Sequence, residues 1–535
     1  MRTQSNAKEI LIGAEEALER LHRAVLEDED DDVPDGEARK RVLPLVDQIL
    51  RLLRLLQAIS RISFRKKSSA DMIRPLMIQL QTTISDAANR FDRDSGRASI
   101  RASAELVSII LDWTLSKEGV SADETKACKD ILVTFLAIVV PSLCNTIKSS
   151  LSARAFSVCF PRLAMREVMD PTWEAGDQAM QAAVSAYVKI HSVGGSMDSF
   201  PSIPSPPNQV ALIIYAHWLI QSTLQNLMPS VSTTLSNLEA VFPVVISSIQ
   251  TSHFLEETLA ILLLSLHNLQ QPGKSVIELP PDLIHPLFTL LPHLASAHPE
   301  PQVRHHTFRV LSMVLRSTPA MVRMHALRSL TGPSDPDQRP GRGSNPDVED
   351  VEEARRLQMQ IAAVGLVKEA VLEALSSTPT LSSSRNVFAT PKFLQTFGPV
   401  LFATQPQNYF ETLVQRIQGL PRTAEDYWDQ LRKELEKEAE LTRLVECMSL
   451  YYVLLLRDVQ NWTGIRDRDN VANVGRSLLI PTKRALDALL QNDQEAEAHH
   501  RHAQLHAVMP LVALKLGLER VDDALKDLGL ATRDG

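Results

Sequence analysis

The sequence predicts an all-α protein, and three observations carry that reading. Aliphatic residues are plentiful while aromatics make up only 5% of the 535 residues, and glycine is sparse at 19. Strands draw on β-branched and aromatic residues and need glycine-rich turns, so this balance favours helices. Nearly every segment repeats its apolar residues at the helical spacing, and no convincing run alternates as a half-buried strand would. The length suits several domains or one extended repeat array.

Taken in order, the N-terminal MRTQSNAKEILIGAEEALERL reads as an amphipathic helix. It lacks the apolar core between a basic start and a small-residue cleavage site that a signal peptide needs. An acidic stretch, EDEDDDVPDGE from Glu27 to Glu37, follows. Its carboxylates repel one another and stay solvated, which makes it a connector or a docking tail for a basic partner. In the second helix Leu45, Ile49, Leu52, Leu53, Leu56 and Ile59 form one continuous stripe. Further helices are expected near 70–92, 97–117, 121–150 and 173–191. Within the third of these, Ile131 to Ile147 is a 17-residue apolar run containing Pro141. A bilayer span needs about 20 such residues, so a buried central helix is the better reading and a membrane span the alternative.

Ser192 to Asn208, SVGGSMDSFPSIPSPPN, carries too much glycine and proline for a helix. Helices resume near 209–228, 234–250, 252–269, 281–297, 301–317 and 319–330, until GPSDPDQRPGRGSNPDVED (Gly332 to Asp350) breaks the pattern again. Beyond it helices are expected near 351–375, 391–403 and 408–418, then one long helix over 423–461 capped by Thr423, and last ones over 471–492, 494–516 and 518–528. The breaks divide the chain into an N-terminal helical region (1–191), a linker or loop (192–208), central helices (209–331), a disordered insertion (332–350) and a C-terminal helical region (351–535). A single core stops growing near this size, whereas stacked helix pairs extend without limit. No strict sequence period is visible, so the expected architecture is an irregular, HEAT-like α-solenoid of stacked helix pairs.

The charge and motif content narrows the function classes. A formal net charge of −8 provides no global basic field of the kind phosphate binding needs, which argues against nucleic acid. The four cysteines, Cys128, Cys144, Cys159 and Cys447, are scattered without a CxxC pair, as expected in a reducing cytosol or nucleus. Gln271 to Ser275 ends in Gly-Lys-Ser, but Asn268 stands where a phosphate loop has its first glycine, and no strand precedes it. Neither a Gly-x-Ser-x-Gly elbow nor a Gly-x-Gly-x-x-Gly loop is present. Glu495, His499, His502 and His506 share one helical face and are ligand types that zinc accepts. Together they span about 16 Å, too far for one ion, although two histidines with a residue from elsewhere could bind one. A metal-dependent enzyme is therefore the alternative from another class, and no cofactor is expected.

Two faces suit protein partners instead. In PEPQVRHHTFRVLSMVLRSTPAMVRMHALRSL (Pro299 to Leu330), Val303, Thr307, Val310 and Val314 share a face that Leu311 and Leu315 widen, and Pro319 stops the helix near Thr318. Arg304, His305, Arg309 and Arg316 lie largely off that stripe, and Arg309, Arg316 and Arg323 recur every seven residues as an expected basic strip. In WDQLRKELEKEAELTRL, Trp428, Leu431, Leu435 and Leu444 give an apolar seam while Lys433 and Lys437 alternate with glutamates. An aromatic anchor with flanking charges is typical of binding surfaces. The candidate protein-binding residues are Trp428, Lys433, Lys437, Arg309 and Arg316.

Two stretches also carry a family resemblance. Leu287 to Leu330 looks like a helical core, and IAAVGLVKEAVLEAL (Ile361 to Leu375) is similar to an Ala-rich helix ending in Gly-Leu-x-Lys-acid, here Gly365, Leu366, Val367, Lys368 and Glu369. Both resemble the family of glomulin, the plant aberrant-lateral-root-formation protein and the fungal YAP-binding proteins. The resemblance covers about a fifth of the chain, rests on packing motifs, and is interrupted by the insertion at 332–350. It implies an all-α, HEAT-like, non-enzymatic protein. It further implies either binding to the RING subunit of cullin-RING ubiquitin ligases, chiefly through the C-terminal half, or support of a bZIP transcription factor under peroxide stress.

Overall fold

The computed structural model describes residues 7–27, 35–57, 68–117, 120–164, 167–191, 200, 208–270, 277–332, 346–376, 386–419, 427–490 and 509–530. Among these the regular structure is entirely helical. By internal contacts the chain divides into two compact units, residues 1–290 with 305–313, and residues 291–304 with 314–535.

The first unit contains α1 (Ala7–Glu27), α2 (Asp35–Leu56), α3 (Ser69–Asp86), α4 (Arg93–Ser116), α5 (Ala122–Ser142), α6 (Leu151–Cys159), α7 (Trp173–His191), α8 (Gln209–Leu224), α9 (Val231–Thr251) and α10 (Leu255–Leu269). Starts are set locally: Ser68, Asp92, Ser121, Asn208 and Ser230 each accept a hydrogen bond from the backbone N–H three residues on. Such caps satisfy one of the donors that a helix start leaves unpaired. Helices then pack on neighbours and next-but-one neighbours, α1 on α3, α2 on α4, α3 on α5 and α8 on α10. The stripe of α2 is buried at Leu45, Ile49, Leu52, Leu53 and Leu56, while Ile59 lies outside the described residues.

The apolar run from Ile131 does not form the central helix. Its part up to Ser142 lies in α5, which buries Ile131, Leu132, Phe135, Leu136, Val139 and Val140 but exposes Asp130 and Thr134. The helices buried on nearly every side are α8, where Val210 through Ile220 are all buried, and α10. No Asp, Glu, Lys or Arg interrupts α8, so no face of it requires water. Among the described residues, no helix is long and apolar enough to cross a membrane.

The single helix expected over 121–150 is cut short, and α6 is an addition. After a 3₁₀ turn at Cys144–Thr146, Lys148 and Ser150 take left-handed backbone angles, φ 42° and 48°. A tertiary clamp accompanies this bend. Arg97, buried on α4, donates to the carbonyls of Thr146 and Ile147 and to the Thr172 hydroxyl. Gly96 and Gly176 line the approach, since a Cβ on either would overlap Thr146 or the Ile147 carbonyl.

The second unit contains α13 (Ala320–Thr331), α14 (Pro346–Ser376), α15 (Lys392–Leu401), α16 (Tyr409–Gln418), α17 (Tyr427–Glu436), α18 (Ala439–Arg457), α19 (Arg468–Val474), α20 (Ile480–Leu490) and α21 (Met509–Asp527). α11 (Pro281–Ala297) and α12 (Pro301–Arg316) each contribute residues to both units. α18 packs on α14 and α21, and α16 packs on α20. Three expectations change. Within the insertion read as disordered, α14 already begins at Pro346, while 333–345 lie outside the described residues. The long helix over 423–461 is two helices, because Glu438 leaves helical geometry at φ −83° and ψ 81°. The proposed cap Thr423 lies outside the described residues. The helix expected over 471–492 forms as one continuous run, α19 joining α20 through a π turn at Gly475–Leu479. Finally, α21 continues through Gly517, which lies against Met448 of α18.

Candidate interaction site

The C-terminal face is built around the junction of α17 and α18. Leu431, Leu435 and Leu444 are buried as the seam requires; the side chain of Trp428 lies outside the described residues. Lys433 is exposed. Lys437 is also exposed, 3.1 Å from Glu434. Arg416 of α16 lies 3.9 Å from Glu434 and bonds closely to Glu438. Burial together with Glu438 pushes the Tyr409 hydroxyl far up, so it stays protonated. Beneath this rim Arg443 is buried, paired with Glu440 at 2.6 Å and donating to the carbonyl of Val400 in the last turn of α15 and to that of Ala403 just past it. Glu440 also accepts from the Gln405 N–H. The helix break at Glu438 thus turns two successive acids toward different arginines.

Adjacent in sequence is a rigid turn that the periodicity does not reveal. The buried Asp458 carboxylate accepts from Trp462 N–H, Thr463 N–H and the Thr463 hydroxyl. Arg466 donates to the Leu455 and Val459 carbonyls, and Asn470 to that of Gly464. This bonding holds Val459 outward at 68% exposure, with Leu456 also exposed. The signal available in the sequence is an Asp-x-x-x-x-Thr-Gly spacing after a helix (Asp458, Thr463, Gly464), the composition of a side-chain-bonded turn.

The basic strip of the central stretch does not form. Helix α12 ends before Pro319 and α13 begins after it, as expected. Val303, Thr307, Val310, Leu311, Val314 and Leu315 are buried together with His306. Arg309 is half-buried, its guanidinium 6.0 Å from the Phe160 ring centre. Arg316 is exposed and 3.9 Å from Glu373. Arg323 is buried, 2.9 Å from the same carboxylate and 5.6 Å from the Phe388 ring centre. Arg323 therefore turns inward because a carboxylate and an aromatic face receive it there, which the seven-residue recurrence cannot disclose.

His305 and His306 also diverge. His306 stacks on Phe156 at 4.8 Å and its Nε2 lies 3.0 Å from Glu167, whereas His305 is exposed. Burial holds the His306 ring below the ordinary imidazole range even though Glu167 opposes it. Glu495, His499, His502 and His506 lie outside the described residues. Among the described residues, no group of three or more His, Cys, Asp or Glu is placed to hold a metal. Cys128, Cys159 and Cys447 are buried and Cys144 half-buried. Burial pushes the thiols of Cys144, Cys159 and Cys447 up to about 12, far from the thiolate form that reacts.

No protein-family model matches the chain, and no curated protein matches it.

Proposed function

We propose that this chain is a non-enzymatic protein-binding scaffold, an irregular HEAT-like α-solenoid of the glomulin type. In this reading its C-terminal unit binds the RING subunit of a cullin-RING ubiquitin ligase and inhibits the ligase, in the cytoplasm or nucleus. The observation that supports it most is the turn after α18, where a hydrogen-bonded scaffold keeps Val459 and Leu456 in water. A rigid apolar knob loses little entropy on docking and suits a protein partner. The exposed Lys433 and Lys437 add a charged rim in the same unit.

Reconstituted ubiquitination tests the proposal. Added chain should slow ubiquitin transfer by a cullin-RING complex, and Val459→Asp should relieve the inhibition while Lys433→Glu with Lys437→Glu weakens it less. No inhibition and no binding to the RING subunit would sink this reading. Recovery of a bZIP factor with the chain, enhanced by peroxide, would instead favour the transcription-cofactor role that the same resemblance implies. The buried thiols favour a role there as scaffold over one as thiol relay.

A further inference from the structure

In the second unit, α19 and α20 turn one face inward and leave the opposite face in water. Val471, Val474, Leu478, Thr482 and Ala485 are buried, whereas Arg476, Ile480, Lys483 and Arg484 are exposed. Residues three and four apart are neighbours on a helix surface. Ile480, 45% exposed, therefore has Arg476 on one side and Lys483 and Arg484 on the other. The strip crosses the π turn at Gly475–Leu479, an irregularity that recurs at functional sites. Ser477 ties this turn down by donating to the carbonyl of Phe402, 2.6 Å away past the end of α15.

The three cations lack the carboxylate partners that others have. Several exposed cations elsewhere in this unit sit beside acids, Lys437 at 3.1 Å from Glu434, Lys515 at 4.0 Å from Glu519 and Lys526 at 3.5 Å from Asp523. Among the described residues Arg476, Lys483 and Arg484 are in no ion pair, although Asp487 follows within a turn of the last two on α20. Arg476 instead donates to Asn473 Oδ1 and to the Ala472 carbonyl, two neutral acceptors on its own helix. In a chain with a formal net charge of −8 this is a local reversal of sign around an exposed aliphatic side chain. A polyphosphate would meet the acidic balance of the whole chain and gain nothing from Ile480. A carboxylate-bearing protein segment with an aliphatic side chain complements both parts of the strip.

We propose that the strip of Arg476, Ile480, Lys483 and Arg484 is a docking face for an acidic segment of a partner protein that carries an aliphatic side chain among its carboxylates. The carboxylates pair with the flanking cations while the aliphatic group covers Ile480, which sets the register of the segment along the helix. Because the cations stand in water, they act mainly on the rate of encounter and the choice of partner, and binding weakens as salt rises. This face is independent of the ligase reading, which rests on Val459 and Leu456, so either can fail without the other.

The test is fluorescence anisotropy of a labelled peptide, EELEDLEE, with the full-length chain at low salt. The parent should bind the peptide and release it as salt is raised. Lys483→Glu with Arg484→Glu should weaken that binding by at least about tenfold and should bind the sign-reversed peptide KKLKKLKK instead. Ile480→Ser should weaken binding of EELEDLEE by roughly threefold, a difference that disappears when the peptide leucines are replaced by serine. No binding by the parent, parent-like binding by either variant, or displacement of the peptide by a single-stranded RNA overturns the proposal. Should the double reversal not fold, Lys483→Ala with Arg484→Ala decides: weaker peptide binding supports the face, and unchanged binding overturns it.

Discussion

The Arg154–Asp177 pair between α6 and α7 and the Glu434–Lys437 pair at the end of α17 are the same in kind and opposite in consequence. In the first region Arg154 and Asp177 are paired at 2.7 Å with both side chains 8% exposed. Gln181 donates to the other carboxylate oxygen, and Arg154 lies 4.4 Å from the Trp173 ring centre. Burial alone would push the Asp177 carboxyl up, but the His217 ring and the Arg154 guanidinium hold it well below the carboxylate range. At 3.9 Å His217 is beyond direct bonding distance, so Arg154 makes the shorter contact. In the second region Lys437, with a 71% exposed side chain, meets Glu434 across water-accessible surface. Burial sets the energetic weight of each pair: removing one partner inside strands a charge, whereas removing one outside lets solvent replace it.

Four substitutions sharpen or break that comparison. The largest effect is expected for Arg154→Met, which leaves Asp177 buried without its guanidinium and should cost about 3–5 kcal/mol in urea unfolding. Because the Asp177 pKa is depressed, this contribution is present above the ordinary carboxylate pKa near 3.8 and is lost as pH falls below it. The gap between variant and parent should therefore close in acid.

Next is Glu257, buried at the start of α10, where burial and the neighbouring Glu256 push its carboxyl up to about 7, against an opposing influence from Lys148. The group binds its proton more tightly when folded. Its stabilising contribution is complete below about 4.5 and is lost as pH rises toward 7. Glu257→Gln should remove about 3 kcal/mol of that pH dependence, and identical slopes for parent and variant between those pH values would refute the assignment.

Gly176→Ala comes third, because the added Cβ would meet the Ile147 carbonyl. Overpacking of this kind should cost about 1–3 kcal/mol, readable as a lowered Tm. The smallest effect belongs to Lys437→Ala, which should change stability by no more than about 0.5 kcal/mol. If it proved as damaging as Arg154→Met, the contrast between the two regions would collapse.

The candidate sites were legible to different depths. The α2 stripe, the α12 face and the stop at Pro319 follow from local period and from the missing proline N–H, and they appear where expected. Leu431 and Leu435 are likewise buried at local period on α17, whereas Leu444, read into the same seam, is buried on a separate helix past the break at Glu438. The inward turn of Arg323 is not local, since it depends on Glu373 and Phe388, 50 and more residues away. Phe200 shows the reverse case: the glycines and prolines around it mark a loop, and only the rings of α7 and α8 show that its one aromatic side chain has a seat.

Sequence by itself determined that this chain is helical and where most helices begin, because helix propensity, apolar period and capping act within a few residues. Tertiary structure alone decided which helices lie at the centre, where α5 ends and α6 begins, and which charges are buried. The left-handed Lys148 and Ser150 carry no glycine to announce them. Their bend goes with Arg97 reaching the carbonyls of Thr146 and Ile147 from α4, some 50 residues earlier in the chain. Contacts over that distance leave no periodic trace in the sequence, because the partner that satisfies each group is chosen by the packing of the helices.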